Sequence, residues 1–223
     1  MSVIAIIGAG PGMGLAIART FAAKGFDVAL LARSQERLDE LVRTLAGEGA
    51  PAAGYVADVG DHASVAEALA AVKRDLGPID VLEFSPTDRS LAMAGPTEVT
   101  VENAQSQIEF YVHGAINAVQ QVLPEMLQRG SGTVVVTTGA SSVYPNAMFG
   151  NVSLAAAALR NWALSLHVAT ADRGVQVAHV AINAWIGNQP GAEADKIAPL
   201  YWDLHVDRDV AERVFTPEDG GAV

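Results

Sequence analysis

Residues 3–14 read VIAIIGAGPGMG and decide the fold of this chain. Val3–Ile7 is an unbroken apolar run, which is typical of a strand buried on both faces of a parallel sheet. Four glycines follow, and the next residues, LAIARTFAAKG, have the spacing of an amphipathic helix. Strand, glycine turn and helix in this order aim backbone N–H groups at a phosphate. The alternative is a glycine turn that only packs the helix on the strand.

Strands and helices alternate along the rest of the chain. The predicted strands are 3–7, 27–31, 52–56, 79–84, 133–137, 176–182 and 211–215. The predicted helices are about 15–25, 35–48, 63–76, 102–129, 153–171 and 195–205, with Ser34 and Asp61 as caps. This alternation predicts an α/β fold over residues 1–223: one Rossmann-type domain, a doubly wound parallel sheet of about seven strands in three α/β/α layers. Ligands of such sheets bind beyond the carboxyl ends of the strands.

Composition limits the classes of partner. The net charge of −11 disfavours nucleic acid and anionic membranes as partners. No cysteine is present, so we expect neither disulfides nor a thiolate metal site, and we expect a cytoplasmic protein without a metal. The first residues form a strand pattern rather than a basic leader, and no apolar run reaches the ~18 residues of a membrane span.

Arg33 follows the second predicted strand, in the run Leu31-Ala32-Arg33-Ser34. A carboxylate near this position commonly binds the ribose hydroxyls of NAD, whereas an arginine suits a 2′-phosphate. The alternative is a solvated arginine at a helix start. We therefore predict NADP(H) as the cofactor in preference to NAD(H).

The glycine spacing also carries a family resemblance. The common fingerprint G-x-G-x-x-G would need glycine at Met13 or Leu15, but Gly8, Gly12 and Gly14 fit G-x-x-x-G-x-G. This spacing resembles the short-chain dehydrogenase/reductase family. The resemblance covers nearly the whole chain, through further landmarks at Gly114, Asn117, 122–124, 132–136, Leu159, 165–166 and 174–175.

The resemblance implies a set of cofactor contacts. In the family, the Asp of the motif matched by Ala57-Asp58-Val59 meets the adenine ring, whereas the alternative here is an ordinary turn aspartate. The predicted cofactor-binding residues are Gly8, Gly10, Gly12, Met13, Gly14, Arg33, Asp58 and Val59.

The catalytic positions of the family hold other residues here. In the register of the landmarks, Val152 and Ala156 occupy the positions of Tyr and Lys in Tyr-x-x-x-Lys. Gly139 occupies the position of the family's Ser, and Tyr111 that of its Asn. Hydride transfer to a carbonyl needs a proton for the developing alkoxide, and valine and alanine supply none. The sequence therefore predicts that the usual proton donor is missing.

Three residues are candidates to replace that donor: Tyr111, Ser141 and Tyr144. His113 and Ser142 lie close to them in sequence. For each residue the alternative is structural, as a packed helix residue, a turn hydroxyl or part of an apolar wall.

Two further expectations concern shape and assembly. Residues 183–210, which include Trp185, Tyr201 and Trp202, predict a reduced substrate lid, although these aromatics also suit packing on the core. The helix at 153–171 is apolar nearly all round, which favours a homodimer or homotetramer.

Together these features predict an NADP(H)-dependent oxidoreductase of the short-chain type. It would have non-standard catalytic residues and act on an unknown small organic substrate. The alternative is a catalytically silent NADP(H)-binding sensor or scaffold.

Overall fold

A single parallel sheet forms the centre of the molecule. The computed structural model describes residues 1–208 and 210–217. The sheet has seven strands in the order β3-β2-β1-β4-β5-β6-β7, and each neighbouring pair is parallel. The strands are β1 Val3–Ile7, β2 Asp27–Ala32, β3 Ala52–Val56, β4 Ile79–Phe84, β5 Gly132–Gly139, β6 Val175–Ile182 and β7 Glu212–Phe215. The direction of winding reverses between β1 and β4, and ligands of doubly wound sheets bind at such a point.

Helices connect the strands and cover both faces. They are α1 Met13–Ala22, α2 Gln35–Gly47, α3 His62–Leu76, α4 Val101–Gln107, α5 Gly114–Arg129, α6 Gly150–Thr170, α7 Ala194–Ile197 and α8 Pro199–Asp207. The predicted caps are confirmed: the Ser34 hydroxyl accepts a bond from the Arg37 N–H, and the Asp61 carboxylate accepts from Ala63 and Ser64.

Hydrophobic cores lie on both faces of the sheet, and β1 contributes to each. Val3, Ala5 and Ile7 pack into the core under α3, α5 and α6. Ile4 and Ile6 pack into the opposite core, with α1, α2 and α8. Every residue of β1 is buried, so the apolar run does fill a strand enclosed on both sides.

The predicted doubly wound architecture is confirmed, with small differences in the elements. The long helix predicted at 102–129 contains a π-helical turn, Ile108–His113, between α4 and α5. The helix predicted at 195–205 is two helices, because Pro199 lacks the N–H that would continue α7 and instead starts α8. Over the described stretches, none of the helices combines the length and apolarity needed to cross a bilayer.

Candidate functional site

Two glycines of the loop after β1 are required by the fold itself. Gly8 has φ +93°, and a Cβ there would lie 2.5 Å from the Cα of Pro86. A Cβ on Gly14 would lie 2.8 Å from the Cα of Ala9. These glycines let the loop pack against the segment after β4 and let α1 start close to β1.

The other two glycines of the loop face open space. A Cβ on Gly12 would meet nothing within 4 Å, and one on Gly10 would only reach the Gly8 carbonyl at 4.0 Å. Helix α1 starts after Gly12 with no side-chain cap and no acidic residue in its first turn. The first N–H groups of a helix have no partner within it, so this end presents bare donors and a positive dipole. The loop is therefore an open cradle that fits a phosphate, with Met13 half-buried at its edge.

Arg33, the predicted 2′-phosphate ligand, is paired with a carboxylate. It lies at the end of β2, half-exposed, and its Nη1 donates to Asp88 Oδ2 at 2.7 Å. The Asp88 carboxylate also accepts bonds from the N–H and hydroxyl of Ser90. Those bonds, together with Arg33, lower the pKa of Asp88. A cofactor phosphate at Arg33 would therefore meet an ionised carboxylate beside it.

The other predicted cofactor residues after β3 shape their own loop. Asp58 is half-buried, and its Oδ1 accepts the N–H of Gly60 at 3.0 Å. Its backbone N–H donates to the Ser64 hydroxyl at 3.1 Å. The Val59 side chain is buried where Gly114 of α5 closely approaches it. These contacts match the turn role that was the structural alternative for Asp58.

The predicted substitutes for the proton donor lie on two different segments. Tyr111 is half-buried in the π-helical turn. Burial raises the pKa of Tyr111, whereas a proton-donating tyrosine needs a lowered pKa. Ser141 and Tyr144 follow β5, with Ser141 half-buried and Tyr144 exposed, and His113 is exposed as well.

The structure reveals a polar network that the sequence interpretation missed. The Thr138 hydroxyl, near the end of β5, lies 2.8 Å from Nε2 of His179 on β6. Nδ1 of His179 lies 2.9 Å from Oε1 of Glu212 on β7, and the Arg160 guanidinium of α6 binds the same carboxylate through two nitrogens. The Ser142 hydroxyl lies 2.8 Å from that of Thr138. We call these five residues the Thr138–His179 cluster.

Burial and charge set the protonation states within the cluster. The His179 ring is fully buried, and burial lowers its pKa against the opposing effect of Glu212. The pKa of Glu212 is lowered, chiefly by Arg160. Within residues 1–208 and 210–217, no three His, Asp or Glu side chains come together to hold a metal ion. The cluster is a hydrogen-bond network around a neutral imidazole and an ionised carboxylate.

A second buried network lies on the opposite face of the sheet. Glu83 of β4 is 1% exposed and accepts bonds from the hydroxyls of Ser85 and Thr137, each at 2.9 Å. The Thr137 hydroxyl also contacts the hydroxyl of Tyr201 on α8 at 2.9 Å. Burial raises the pKa of Glu83 to about 8, against the effect of the two hydroxyls. This carboxyl group is therefore mostly protonated at neutral pH.

A sequence signal for both networks was present. His179 and Glu83 are polar residues inside the mainly apolar strand runs VQVAHVAI and IDVLEF, which also contain Gln176 and Asp80 near their starts. A buried polar side chain needs a partner, so each interruption indicated a partner elsewhere in the chain. Apart from Ser85, which follows Glu83 by two residues, the partners lie far away in sequence and could not be read from it.

A groove of about 380 Å³ lies beside the start of α6. Pro96, Phe149, Ser153 and Leu154 line it, and the buried Ser153 hydroxyl has no hydrogen-bond partner among the residues that the structure describes. The Phe149 ring contacts that of Trp185, with centroids 6.3 Å apart. This side of α6 offers an apolar surface with one unused hydroxyl.

The aromatics of the predicted lid divide into two groups. Trp185 is 53% exposed. Tyr201 is buried, and Trp202 packs edge-on against Phe21 and Phe26. Tyr201 and Trp202 thus hold α8 on the core, which was the structural alternative for them.

Comparison with known proteins agrees with this architecture. The short chain dehydrogenase family model matches residues 2–185. The chain is 32% identical over 217 residues to 2,3-dihydro-2,3-dihydroxybenzoate dehydrogenase of Bacillus subtilis, covering 94% of this chain and 76% of that protein. It is 29% identical over 227 residues to D-threitol dehydrogenase of Mycolicibacterium smegmatis, covering 98% and 86%.

A solved structure shares the fold. L-sorbose reductase of Gluconobacter frateurii, complexed with NADPH and L-sorbose, superposes with a TM-score of 0.85 at 21% identity, covering 97% of this chain and 95% of that one. The family match spans most of the chain, and the sheet order and glycine loop agree with it. The chain belongs to the short-chain dehydrogenase family.

Proposed function

We propose that this protein is an NADP(H)-dependent oxidoreductase that acts on a small organic substrate with non-standard catalytic residues. The observation that carries the proposal is the open glycine cradle above the uncapped start of α1. Among the described residues, a Cβ on Gly12 would meet nothing within 4 Å and one on Gly10 only the Gly8 carbonyl at 4.0 Å, which supports a ligand that approaches the backbone at these two glycines.

The preference for NADP(H) rests on Arg33. Its guanidinium stands at the end of β2 and is half-exposed, so donors remain for a 2′-phosphate. Asp88 opposes this preference through its ion pair with Arg33. L-sorbose reductase, with the same fold, is known in complex with NADPH.

The catalytic residues are the unusual part of the proposal. Val152 and Ala156 stand where the family register places its tyrosine and lysine, and neither side chain can move a proton. A bound nicotinamide supplies or accepts the hydride. The chain must therefore handle the accompanying proton with other groups, or act on a substrate that needs none.

The proposal is tested by titrating the purified protein with NADPH and then NADH, followed by energy transfer from tryptophan to the nicotinamide. We expect tighter binding of NADPH than of NADH. A broad panel of carbonyls, imines and alcohols then tests turnover with the preferred cofactor. Binding of neither cofactor would overturn the proposal.

A second function is favoured by the same two positions. With Val152 and Ala156 in place of proton-handling residues, the protein would bind NADP(H) without turnover and act as a sensor or scaffold. This function predicts tight NADPH binding, no turnover of any panel member and a stable partner in pull-down experiments. Turnover that is lost when the cradle is blocked would exclude it.

The proposed function includes an assembly state, a location in the cell and a substrate lid. We propose a homodimer or homotetramer that uses α6, since Leu154 and Val168 on this helix are exposed apolar residues. A cytoplasmic location fits the absence of cysteine. We also propose that the segment predicted as a reduced lid, about 183–210, covers the substrate, and the exposure of Trp185 supports this role.

A further inference from the structure

The direction of each hydrogen bond in the Thr138–His179 cluster follows from chemistry. Arg160 keeps Glu212 ionised, so this carboxylate only accepts. Nδ1 of His179, at 2.9 Å from it, must therefore carry the ring proton. Burial keeps the ring neutral, which leaves Nε2 with a lone pair. Thr138, at 2.8 Å, must donate its hydroxyl proton to that nitrogen.

The Thr138 oxygen is left as an acceptor. Its single proton points to His179, so any further bond to Thr138 must be donated by another group. The Ser142 hydroxyl lies 2.8 Å from the Thr138 oxygen and 3.0 Å from the Gly139 carbonyl, so its single proton is shared between these two acceptors once Thr138 donates to His179. A hydroxyl oxygen has two lone pairs, so a second acceptor position remains. Thr138 is half-buried and precedes the exposed Gly139 at the carboxyl end of β5, the edge where ligands of such sheets bind.

The Thr138–His179 cluster also includes a residue of the α6 face on which the family register places its tyrosine and lysine. Val152, Ala156 and Arg160 are spaced four residues apart, so they share one face of α6. Of these three residues, only Arg160 carries a charge, and its guanidinium is paired with the Glu212 carboxylate. The proton-handling chemistry near this face therefore resides on the strands rather than on the helix.

We propose that Thr138 and His179 form the proton-transfer pair of the reaction, with a small alcohol and its carbonyl product as the substrate pair. This inference rests on the proposed oxidoreductase function. In oxidation, a bound NADP⁺ would accept the hydride that the substrate carbon gives up with its electron pair. The substrate O–H proton passes to Thr138 while the Thr138 proton passes to Nε2 of His179, and a carbonyl and an imidazolium remain. In reduction, each transfer is reversed.

Glu212 and Arg160 are positioning residues in this scheme. Glu212 holds His179 in the required tautomer and stabilises the imidazolium, as the carboxylate does in other histidine-based pairs. Arg160 orients Glu212 through both carboxylate oxygens. The charged groups that act on the His179 ring are Glu212 of β7 and Arg160 of α6.

The first test needs no turnover. Nitrogen-15 NMR of the imidazoles, with His179 assigned by His179→Gln, reads the tautomer in the full chain. We expect the proton on Nδ1 at neutral pH. Thr138→Val should shift the Nε2 signal, and Thr138→Ser should leave it close to wild type. A ring proton on Nε2 would overturn the proposal. So would an Nε2 signal that Thr138→Val leaves unchanged, because the Thr138 hydroxyl would then donate to the Gly139 carbonyl at 3.0 Å instead.

The second test measures turnover of small secondary alcohols and polyols with NADP⁺. We expect Thr138→Val to lower kcat by about 100-fold or more, in the range of lost acid–base catalysis. Thr138→Ser should stay within about tenfold, since it keeps the hydroxyl. His179→Gln should remove the limb of the pH–rate profile that reports the imidazole. NADPH affinity should be unchanged in all three variants.

The outcomes separate this inference from the proposed function. A wild-type protein that binds no NADPH contradicts the proposed function. Intact NADPH binding with an unchanged kcat in Thr138→Val contradicts only the role of the pair. A wild-type protein that binds NADPH but converts no panel member also overturns the pair, because a proton-transfer pair without a reaction has no role.

Discussion

The glycine loop and Thr138, the end of the Thr138–His179 cluster near the carboxyl end of β5, lie at the same edge of the sheet, but the loop and the cluster are built from different parts. The proposed phosphate site in the loop depends on backbone: an added Cβ at Gly12 would meet no described atom within 4 Å, and the uncapped start of α1 supplies N–H donors and the positive end of the helix dipole. The cluster acts through side chains from β5, β6, β7 and α6. A backbone site depends on local sequence, whereas a side-chain site depends on strands that meet only in the fold.

The largest expected effect tests the backbone site. Gly12→Asp places a carboxylate in the open cradle, where it would repel a phosphate, and we expect a loss of at least about 100-fold in NADPH affinity. The melting temperature should hold, because a Cβ at Gly12 meets nothing within 4 Å. Gly12→Asn is the uncharged control and should lose less. Wild-type NADPH affinity in Gly12→Asp would contradict the cradle.

The next effect separates the two buried networks by pH. Burial raises the pKa of Glu83 to about 8, well above its value in an unfolded chain. The protonated Glu83 side chain therefore contributes fully to the stability of the folded state below about pH 4.5, and this contribution is lost as the pH rises towards 8. The side chain of Glu83→Gln does not titrate, so relative to wild type this variant should gain about 4 kcal/mol of stability between pH 5 and pH 9. Thermal unfolding of both proteins at both pH values measures this gain. An equal difference in melting temperature between variant and wild type at the two pH values would contradict it.

A smaller effect tests the charge pairing of the Thr138–His179 cluster. Glu212→Gln leaves Arg160 without its carboxylate, and we expect a loss of about 1–2 kcal/mol because both groups are partly exposed. The pKa of His179 should fall further, since Glu212 is what raises it. Denaturant unfolding and imidazole NMR measure the two changes. The double variant with Arg160→Met should recover part of the lost stability. If the two substitutions instead change the free energy of unfolding additively, Glu212 and Arg160 are not coupled.

The smallest effect sharpens the cofactor preference. Asp88→Asn removes the carboxylate 2.7 Å from Arg33, and we expect NADPH affinity to rise about three- to tenfold with NADH affinity unchanged. Ser90→Ala is the matched control, because Ser90 also binds Asp88 but leaves the carboxylate in place. Equal changes in the affinities for NADPH and NADH would show that Arg33 does not bind the 2′-phosphate.

Sequence reasoning succeeded where structure is local. The apolar run of β1, the glycine turn and the caps Ser34 and Asp61 are each contained within a few residues, and all are found in the fold. It was less complete for long-range contacts. The pairing of Arg33 with Asp88, 55 residues later in the chain, could not be read from either segment. The role of Tyr201 as a core residue, given beforehand as one of two alternatives, was decided by its packing.

The sequence by itself determined the doubly wound sheet, because the periodicity of each strand and helix is a local property. That Val152 and Ala156 stand in place of the family's proton-handling residues stays a prediction from the resemblance. Only the tertiary structure decided that Thr138, His179 and Glu212 meet. They stand on β5, β6 and β7, which lie side by side in the sheet although long stretches of chain separate them. Parallel strands bring such residues together through their crossover helices, and that register is set by packing of the whole core.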